Sequence, residues 1–105
     1  MLHQMSVLEI AHFTVTPGSA PDFIAAYGQG RHLLTELAEC RRVTMTQGIE
    51  SPDTFRLLVE WDSVEAHVEK FRNDADRYGQ WRGLIGPFFA EPPLVEHYLD
   101  VDATE

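Results

Sequence analysis

The chain has 105 residues, 44% of them apolar, and its 17 acidic and eight basic residues give a formal charge of −9. A chain of this size builds one hydrophobic core, so we predict a single domain over residues 1–105, with its core at about 7–100 and short flexible termini. The negative charge argues against nucleic acid and anionic membrane surfaces as partners. The sequence has no apolar run of membrane-spanning length and no secretory signal pattern, which predicts a cytoplasmic protein.

The first predicted elements are a strand at residues 7–15 and a helix that runs to about residue 38. Apolar side chains occupy both alternating faces of the strand, so it is expected to be covered on both sides. Ser19 is placed to cap the helix and Pro21 suits its first turn. Gly30 lies on the apolar stripe of the helix, where a missing side chain allows either close packing or room for a ligand.

Two further strands are predicted at residues 41–49 and 54–61, joined into a hairpin by turn-forming residues at 50–53. A last strand is predicted at residues 94–101, where apolar and polar side chains alternate. These strands surround the second helical region of the chain.

The second helix begins after Asp62 or Ser63, and His67 and Phe71 lie on its apolar face at helical spacing. His67 is therefore predicted to point inward. Residues 73–76 interrupt or restart the helix. Its next stripe consists of Tyr78, Trp81, Arg82 and Ile85, and Gly86 with Pro87 ends it.

The resulting order is β-α-β-β-α-β, the ferredoxin-like α+β arrangement, in which a four-stranded antiparallel sheet carries both helices on one face. The first strand is apolar on both sides and no third helix is predicted. We therefore expect a second subunit to cover the other face, which makes the protein a homodimer paired through its sheets.

Several short motifs accompany this order: EW-x-S-x-EAH at residues 60–67, Phe71-Arg72, Tyr78 with Trp81, and VEHY at residues 95–98. Together, from residue 7 to residue 98, they resemble the antibiotic biosynthesis monooxygenase family of dimeric α/β barrels. The resemblance implies the barrel fold and an enzyme of the monooxygenase class. Some members of the family oxidise anthrone- or quinol-like polyphenols with O₂ and no cofactor, some degrade heme, and many have no assigned substrate.

The heme-degrading branch is recognised by an Asn on the first strand and by a Trp and a His on the second helix. The corresponding positions here hold Ala11, Lys70 and either Gln80 or Arg82. Heme degradation by those residues is therefore not expected. The resemblance favours oxidation of an aromatic, polyketide-like or quinol substrate, in which proton abstraction precedes direct reaction with O₂.

His67 is the candidate catalytic base. Histidine titrates near neutral pH, and a histidine on an apolar stripe can accept a phenolic or activated C–H proton. A single inward histidine is also frequently hydrogen-bonded within a core without any catalytic role. Both interpretations stay open at this point.

The candidate substrate-binding residues are Phe71, Tyr78, Trp81, Arg82 and Phe88. Aromatic side chains pack against planar ring systems, and Tyr or Trp adds a polar handle, although each of these aromatics also fits plain core packing. Arg82 could stabilise an enolate or phenolate oxygen, with a solvated contact to a nearby carboxylate as the alternative.

The sequence carries no signature of a metal or cofactor site. Histidine pairs with the spacing of metal ligands are absent, as are a phosphate-binding glycine loop and a dinucleotide fingerprint, so no cofactor is predicted. The single cysteine, Cys40, is interpreted as a packing residue. His12 is expected in the barrel interior or at an interface, and the sequence does not place His97.

Two other functions fit the same predicted pocket. A non-catalytic binding or sensing dimer would hold its ligand without oxygen uptake. An isomerase or lyase would act by proton transfer alone, equally well with and without oxygen.

Overall fold

The computed structural model describes residues 6–102, so the predicted flexible termini and His3 lie outside the described residues. The element order is β-α-β-β-α-β, as predicted, with each helical half divided into shorter pieces. The strands are β1 (Val7–Thr14), β2 (Cys40–Gln47), β3 (Thr54–Trp61) and β4 (Leu94–Tyr98), and the helices are α1 (Ala20–Gly30), α2 (His32–Thr35), α3 (Val64–His67) and α4 (Ala75–Ile85).

The four strands form one antiparallel sheet in the order β2-β3-β1-β4. This order is that of the ferredoxin-like fold, so the predicted fold class is confirmed. β1 lies in the middle of the sheet between β3 and β4, and its side chains alternate between the two faces. Residues that β1, β3 and β4 direct toward the helices are therefore close neighbours.

The core lies between the helices and one face of the sheet. On β1, Ala11 and Phe13 are buried on this face, and Val15 continues the pattern beyond the strand. Glu9 lies in the same phase and is also buried. A carboxylate is thus part of the layer that the helices cover.

The first helical region differs from the single helix predicted to residue 38. α1 ends at Gly30, and the short α2 follows after Arg31. A Cβ atom on Gly30 would lie 3.1 Å from Leu84 Cδ1 and 3.3 Å from Trp81 Cε3, so the glycine allows α1 to pack closely on α4. Ser19 stands at the N-cap position but makes no side-chain bond to the helix, contrary to the predicted cap.

The second helical region is interrupted where the sequence predicts it. Ser63 caps α3, because its Oγ accepts a hydrogen bond from Ala66 N at 3.0 Å. A π-helical turn, Val68–Arg72, follows His67 directly, and α4 begins after Asp74, whose Oδ1 accepts from Arg77 N at 3.0 Å. A 3₁₀ turn, Gly86–Phe88, ends the region. π-turns are frequent at functional sites, and this one follows the candidate base.

Among the elements of residues 6–102, no helix covers the opposite face of the sheet. Leu8, Ile10 and Leu58 are half-buried there, and Leu94 and Tyr98 are 55% and 41% exposed.

β2 and β4 are shorter than the predicted strands at 41–49 and 94–101, since they end at Gln47 and Tyr98. Among residues 6–102, no helix has the length and apolar character needed to cross a bilayer.

Candidate active site

Glu9 and Trp61 form a buried polar contact at one end of the core. Glu9 is 5% exposed and Trp61 is fully buried. Trp61 Nε1–H donates a hydrogen bond of 2.8 Å to Glu9 Oε1. The register of β1 and β3 pairs Val7 with Trp61, so Trp61 and Glu9 are diagonal neighbours on the face that the helices cover.

His67 joins this contact from the end of α3. Its ring is 2% exposed and stacks on Trp61, with 5.1 Å between ring centroids and 19° between planes. His67 Nε2 lies 3.4 Å from Glu9 Oε1. His67 Nδ1 is hydrogen-bonded to His97 Nε2 at 2.8 Å, and β4 places His97 directly opposite Glu9. Glu9, His67 and His97 therefore form a continuous polar chain from the core to a half-buried edge strand.

The protonation states of Glu9, His67 and His97 follow from the burial of these side chains. Burial raises the pKa of Glu9 to about 7, although the Trp61 hydrogen bond and the charge of Arg72 oppose the shift. Burial, with smaller contributions from His97 and Arg72, lowers the pKa of His67 to about 4. Burial and Arg72 also lower the pKa of His97. At neutral pH both imidazoles are neutral, and Glu9 is the group close to its midpoint.

A small cavity, called here the inner cavity, lies beside Glu9 and His67 between the sheet and the helices. Its volume is about 30 Å³. A larger groove of about 720 Å³, called here the outer groove, runs along α4 and the segment before β4. The residues that line both spaces are Arg72, Tyr78, Arg82, Phe89, Pro93 and Val95. The groove and the inner cavity therefore adjoin along a wall that includes aromatic and basic side chains.

The structure brings most of the predicted site residues to this place. His67, Phe71, Tyr78, Trp81 and Arg82 all line the inner cavity. Phe88 does not. It packs on Phe23 in the core, with ring centroids 6.3 Å apart, and the adjacent Phe89 lines the cavity instead.

Two arginines stand where the cavity meets the groove. Arg82 Nη1 lies 3.4 Å from the Tyr78 hydroxyl, and its guanidinium lies 5.4 Å from the centroid of the Phe89 ring. Arg72 lines both spaces and acts electrostatically on Glu9, His67 and His97. In a chain with 17 acidic residues, this mouth has a local positive charge that suits an anionic oxygen.

The family model for antibiotic biosynthesis monooxygenases matches residues 6–82. The chain belongs to this family. The resemblance inferred from the short motifs is thereby confirmed, and membership supports a general monooxygenase-like function.

Individual relatives agree with this assignment. The uncharacterized protein YczJ of Bacillus subtilis is 30% identical over 95 residues, which cover 90% of this chain and 99% of that protein. A crystal structure from Bordetella bronchiseptica named "Putative antibiotic biosynthesis monooxygenase" is 40% identical, with a TM-score of 0.87 over 93% of this chain and 99% of that one. A protein of the same name from Nitrosomonas europaea has a TM-score of 0.82 at 16% identity, over 100% and 99% of the two chains, which shows a shared fold.

Two residues of the candidate site were not predicted from the sequence. Glu9 lies on the same alternating face of β1 as Ala11 and Phe13. A carboxylate at a position that this alternation assigns to the core could have indicated a functional residue from the sequence. His97 could not be assigned to a face until the register of β4 placed it opposite Glu9. His12 lies on the other face of the sheet, opposite Arg56 and Leu94.

The polar chain is not arranged as a metal site. Within residues 6–102 no group of three or more His, Cys, Asp or Glu side chains is placed to hold a metal ion. His67 Nδ1 and His97 Nε2 are hydrogen-bonded to each other. Two nitrogens that share one proton face each other and not a common ion.

Proposed function

We propose that this protein is a monooxygenase that oxidises an aromatic, polyketide-like or quinol substrate with O₂ and without a cofactor. One observation carries the proposal: two titratable groups in contact, Glu9 and His67, line a small cavity whose other walls are largely apolar and aromatic. Such a site combines a proton acceptor with exclusion of water, which a carbanion needs to react with O₂. His67 is the proposed base.

The reaction balances without an added reductant. A CH₂ group flanked by aromatic rings and one O₂ become a carbonyl group and one water. The base removes one C–H proton, and the carbanion passes an electron to O₂. The radical and superoxide then combine to a peroxide, which takes back the first proton. Loss of the second C–H proton breaks the O–O bond and releases hydroxide, which becomes water.

The geometry of His67 fits the first step. Its Nδ1 is hydrogen-bonded to His97 at 2.8 Å, whereas Nε2 has only the longer 3.4 Å contact with Glu9 Oε1, so Nε2 is the ring nitrogen proposed to take the substrate proton. Because the imidazole is neutral at neutral pH, Nε2 can accept a proton once the ring holds its own proton on Nδ1. His97 then accepts that Nδ1–H bond and fixes the tautomer.

The shape of the site limits how a substrate binds. The inner cavity has about 30 Å³, which holds no more than a water molecule, whereas the outer groove has about 720 Å³. We therefore place the ring system in the groove, with its reacting edge directed toward the inner cavity. Arg72, Arg82 and Tyr78 would then stand beside the oxygen that becomes an enolate or phenolate and would stabilise its charge.

The proposed enzyme is a homodimer. The half-buried apolar side chains Leu8, Ile10 and Leu58 on the uncovered sheet face are the surface that a second copy would cover. Light scattering at micromolar concentration is expected to give twice the mass of the chain. A monodisperse monomer would contradict this part of the proposal.

Oxygen uptake tests the reaction itself. Purified, metal-free protein is mixed with anthrones, hydroquinones and catechols in an oxygen electrode, beside His67→Ala and the control His32→Ala, since His32 is exposed on α2. We expect uptake above the spontaneous rate in the wild type and the control, and its loss in His67→Ala. Ligand binding without uptake would identify a binding protein, and turnover that is equal without oxygen would identify an isomerase or lyase.

A further inference from the structure

We propose that Glu9 is a second acid–base residue of this site: the proton taken from the substrate rests on its carboxylate, and His67 with His97 connects that carboxylate to the edge of the molecule. This inference rests on the proposed function for the identity of the substrate. The proton chemistry of Glu9 does not depend on O₂ and is tested separately below.

Glu9 lies beside the space toward which the reacting edge of the proposed substrate is directed. Glu9 lines the inner cavity together with His67. Within residues 6–102, Oε1 of the carboxylate makes two polar contacts, one with Trp61 Nε1 and one with His67 Nε2. A proton therefore passes between His67 and the carboxylate at Oε1, and the indole holds that oxygen in a fixed position.

His67 is better suited to transferring a proton than to keeping it. Both of its ring nitrogens already have protein neighbours, Glu9 at 3.4 Å and His97 at 2.8 Å. A base that releases its proton easily needs a partner that keeps it, and the low pKa of His67 beside the raised pKa of Glu9 puts the shared proton on Glu9.

The polar chain of Glu9, His67 and His97 also provides a route for proton exchange with solvent. If Glu9 gives a proton to His67 Nε2, then His67 can pass its Nδ1 proton to His97 Nε2. One proton leaves the carboxyl, and the half-buried His97 releases its own Nδ1 proton to solvent as it accepts one on Nε2, so both imidazoles change tautomer and stay neutral and the net change is the loss of one proton from Glu9. The reverse transfer brings a solvent proton back to Glu9 and restores both tautomers, so Glu9 can exchange its proton with solvent.

The charged and titratable groups around Glu9 set its midpoint. Arg72, in the π-helical turn, favours the carboxylate, and burial favours the neutral acid. His67 and His97 are neutral at neutral pH. The Cys40 thiol on β2 is neutral as well, because burial raises its pKa to about 11. Arg72 is thus the ionised neighbour, and a midpoint near neutrality suits a group that must both accept and return a proton.

Infrared titration tests the protonation of Glu9 without any substrate. The carbonyl band of a protonated carboxylic acid is followed from pH 5 to pH 9 in the wild type, Glu9→Gln and the control Glu65→Gln, whose carboxylate is exposed beside the site on α3. We expect a band that disappears near pH 7 in the wild type and the control and is missing in Glu9→Gln. Arg72→Gln should move its midpoint to higher pH. Identical spectra for the wild type and Glu9→Gln above pH 6 would overturn the proposal.

Proton transfer is then measured without oxygen. An anthrone is incubated anaerobically with each protein in D₂O, and deuterium incorporation at its CH₂ group is followed by mass spectrometry. We expect Glu9→Gln to exchange about 100-fold or more slowly than the wild type and Glu65→Gln, the usual range for loss of an acid–base group. Circular dichroism establishes that Glu9→Gln is folded, and Glu9→Asp should restore part of the rate.

The outcomes separate this inference from the proposed function. Glu9-dependent exchange without oxygen uptake supports the role of Glu9 and contradicts the monooxygenase. Oxygen uptake that is unchanged in Glu9→Gln supports the monooxygenase and overturns the role of Glu9. An infrared band at Glu9 without any exchange in the wild type also overturns it, because Glu9 would then titrate without transferring a substrate proton.

Discussion

The two ends of the helix–sheet layer differ in what they are made of, although β1 contributes to both. At one end Phe13 packs with Phe23 at 5.8 Å, and Phe23 packs with Phe55 at 4.6 Å between ring centroids. At the other end, four residues earlier on β1, Glu9 contacts His67. The first group is called here the phenyl cluster and the second, with Trp61 and His97, the polar chain. The phenyl cluster needs only close packing, whereas the polar chain needs specific partners.

This difference separates stability from chemistry. Burial of the phenyl cluster removes apolar surface from water, which stabilises the fold. Burial of Glu9 moves its pKa from 4.5 to about 7, so keeping the carboxylate ionised in the fold costs about 3 kcal/mol. A residue that weakens the fold in its charged form and lines a cavity is a candidate for function.

Truncation in the phenyl cluster should give the largest change in stability. Phe23→Ala removes a fully buried ring and is expected to lower the free energy of unfolding by about 3–5 kcal/mol. Urea denaturation measures this loss. Phe23→Leu, which keeps most of the volume, serves as the matched control and should cost much less.

The same variant sharpens the comparison between the two ends. At temperatures where Phe23→Ala is folded, the infrared band assigned to Glu9 should keep its midpoint, because Phe23 is not part of the wall of the inner cavity. A shifted midpoint would mean that the phenyl cluster and the polar chain are energetically coupled and would break the proposed division.

Within the polar chain, Glu9 and His67 should give opposite pH dependences of stability. Glu9 binds its proton more tightly when folded, so its contribution falls as pH rises from about 4.5 to about 7. His67 binds its proton less tightly when folded, so its contribution rises as pH rises from about 4 to 6.5. Each change amounts to about 3 kcal/mol, and the two nearly cancel in the wild type.

Removing either partner should expose the pH dependence of the other. Relative to the wild type, the unfolding free energy of Glu9→Gln should rise from pH 4.5 to pH 6.5, and that of His67→Gln should fall over the same interval. Urea midpoints measured at several pH values check both signs, with Glu65→Gln expected to follow the wild type. Parallel curves for all four proteins would contradict the assigned protonation states.

How much the sequence could predict differs in the same way between the two ends. The strand at residues 54–61 was predicted with the bounds that β3 has, because alternation along one segment determines it. The phenyl cluster follows from the same local periodicity. Interruption of the second helical region was also predicted, but the π-helical turn at Val68–Arg72 was not.

The polar chain needed information that no single segment contains. Glu9, His67 and His97 come from β1, α3 and β4, and their contacts depend on the strand register and on where α3 ends. The choice between Phe88 and Phe89 at the cavity depends on the direction of a 3₁₀ turn. The sequence therefore predicted His67 as an inward side chain and missed the carboxylate beside it.

The smallest expected effect concerns the helix that presents His67. Ser63→Ala removes the acceptor for Ala66 N and should cost about 1 kcal/mol of stability. Ser19→Ala is the matched control, because Ser19 occupies the N-cap position of α1 without a side-chain bond to that helix, and it should cost much less. α3 has only one turn, so fraying at Ser63 also loosens the position of His67. Ser63→Ala should therefore slow deuterium exchange into the anthrone, whereas Ser19→Ala should leave the rate unchanged; equal rates in both variants would show that the sheet and Trp61, and not the cap, hold His67 in place.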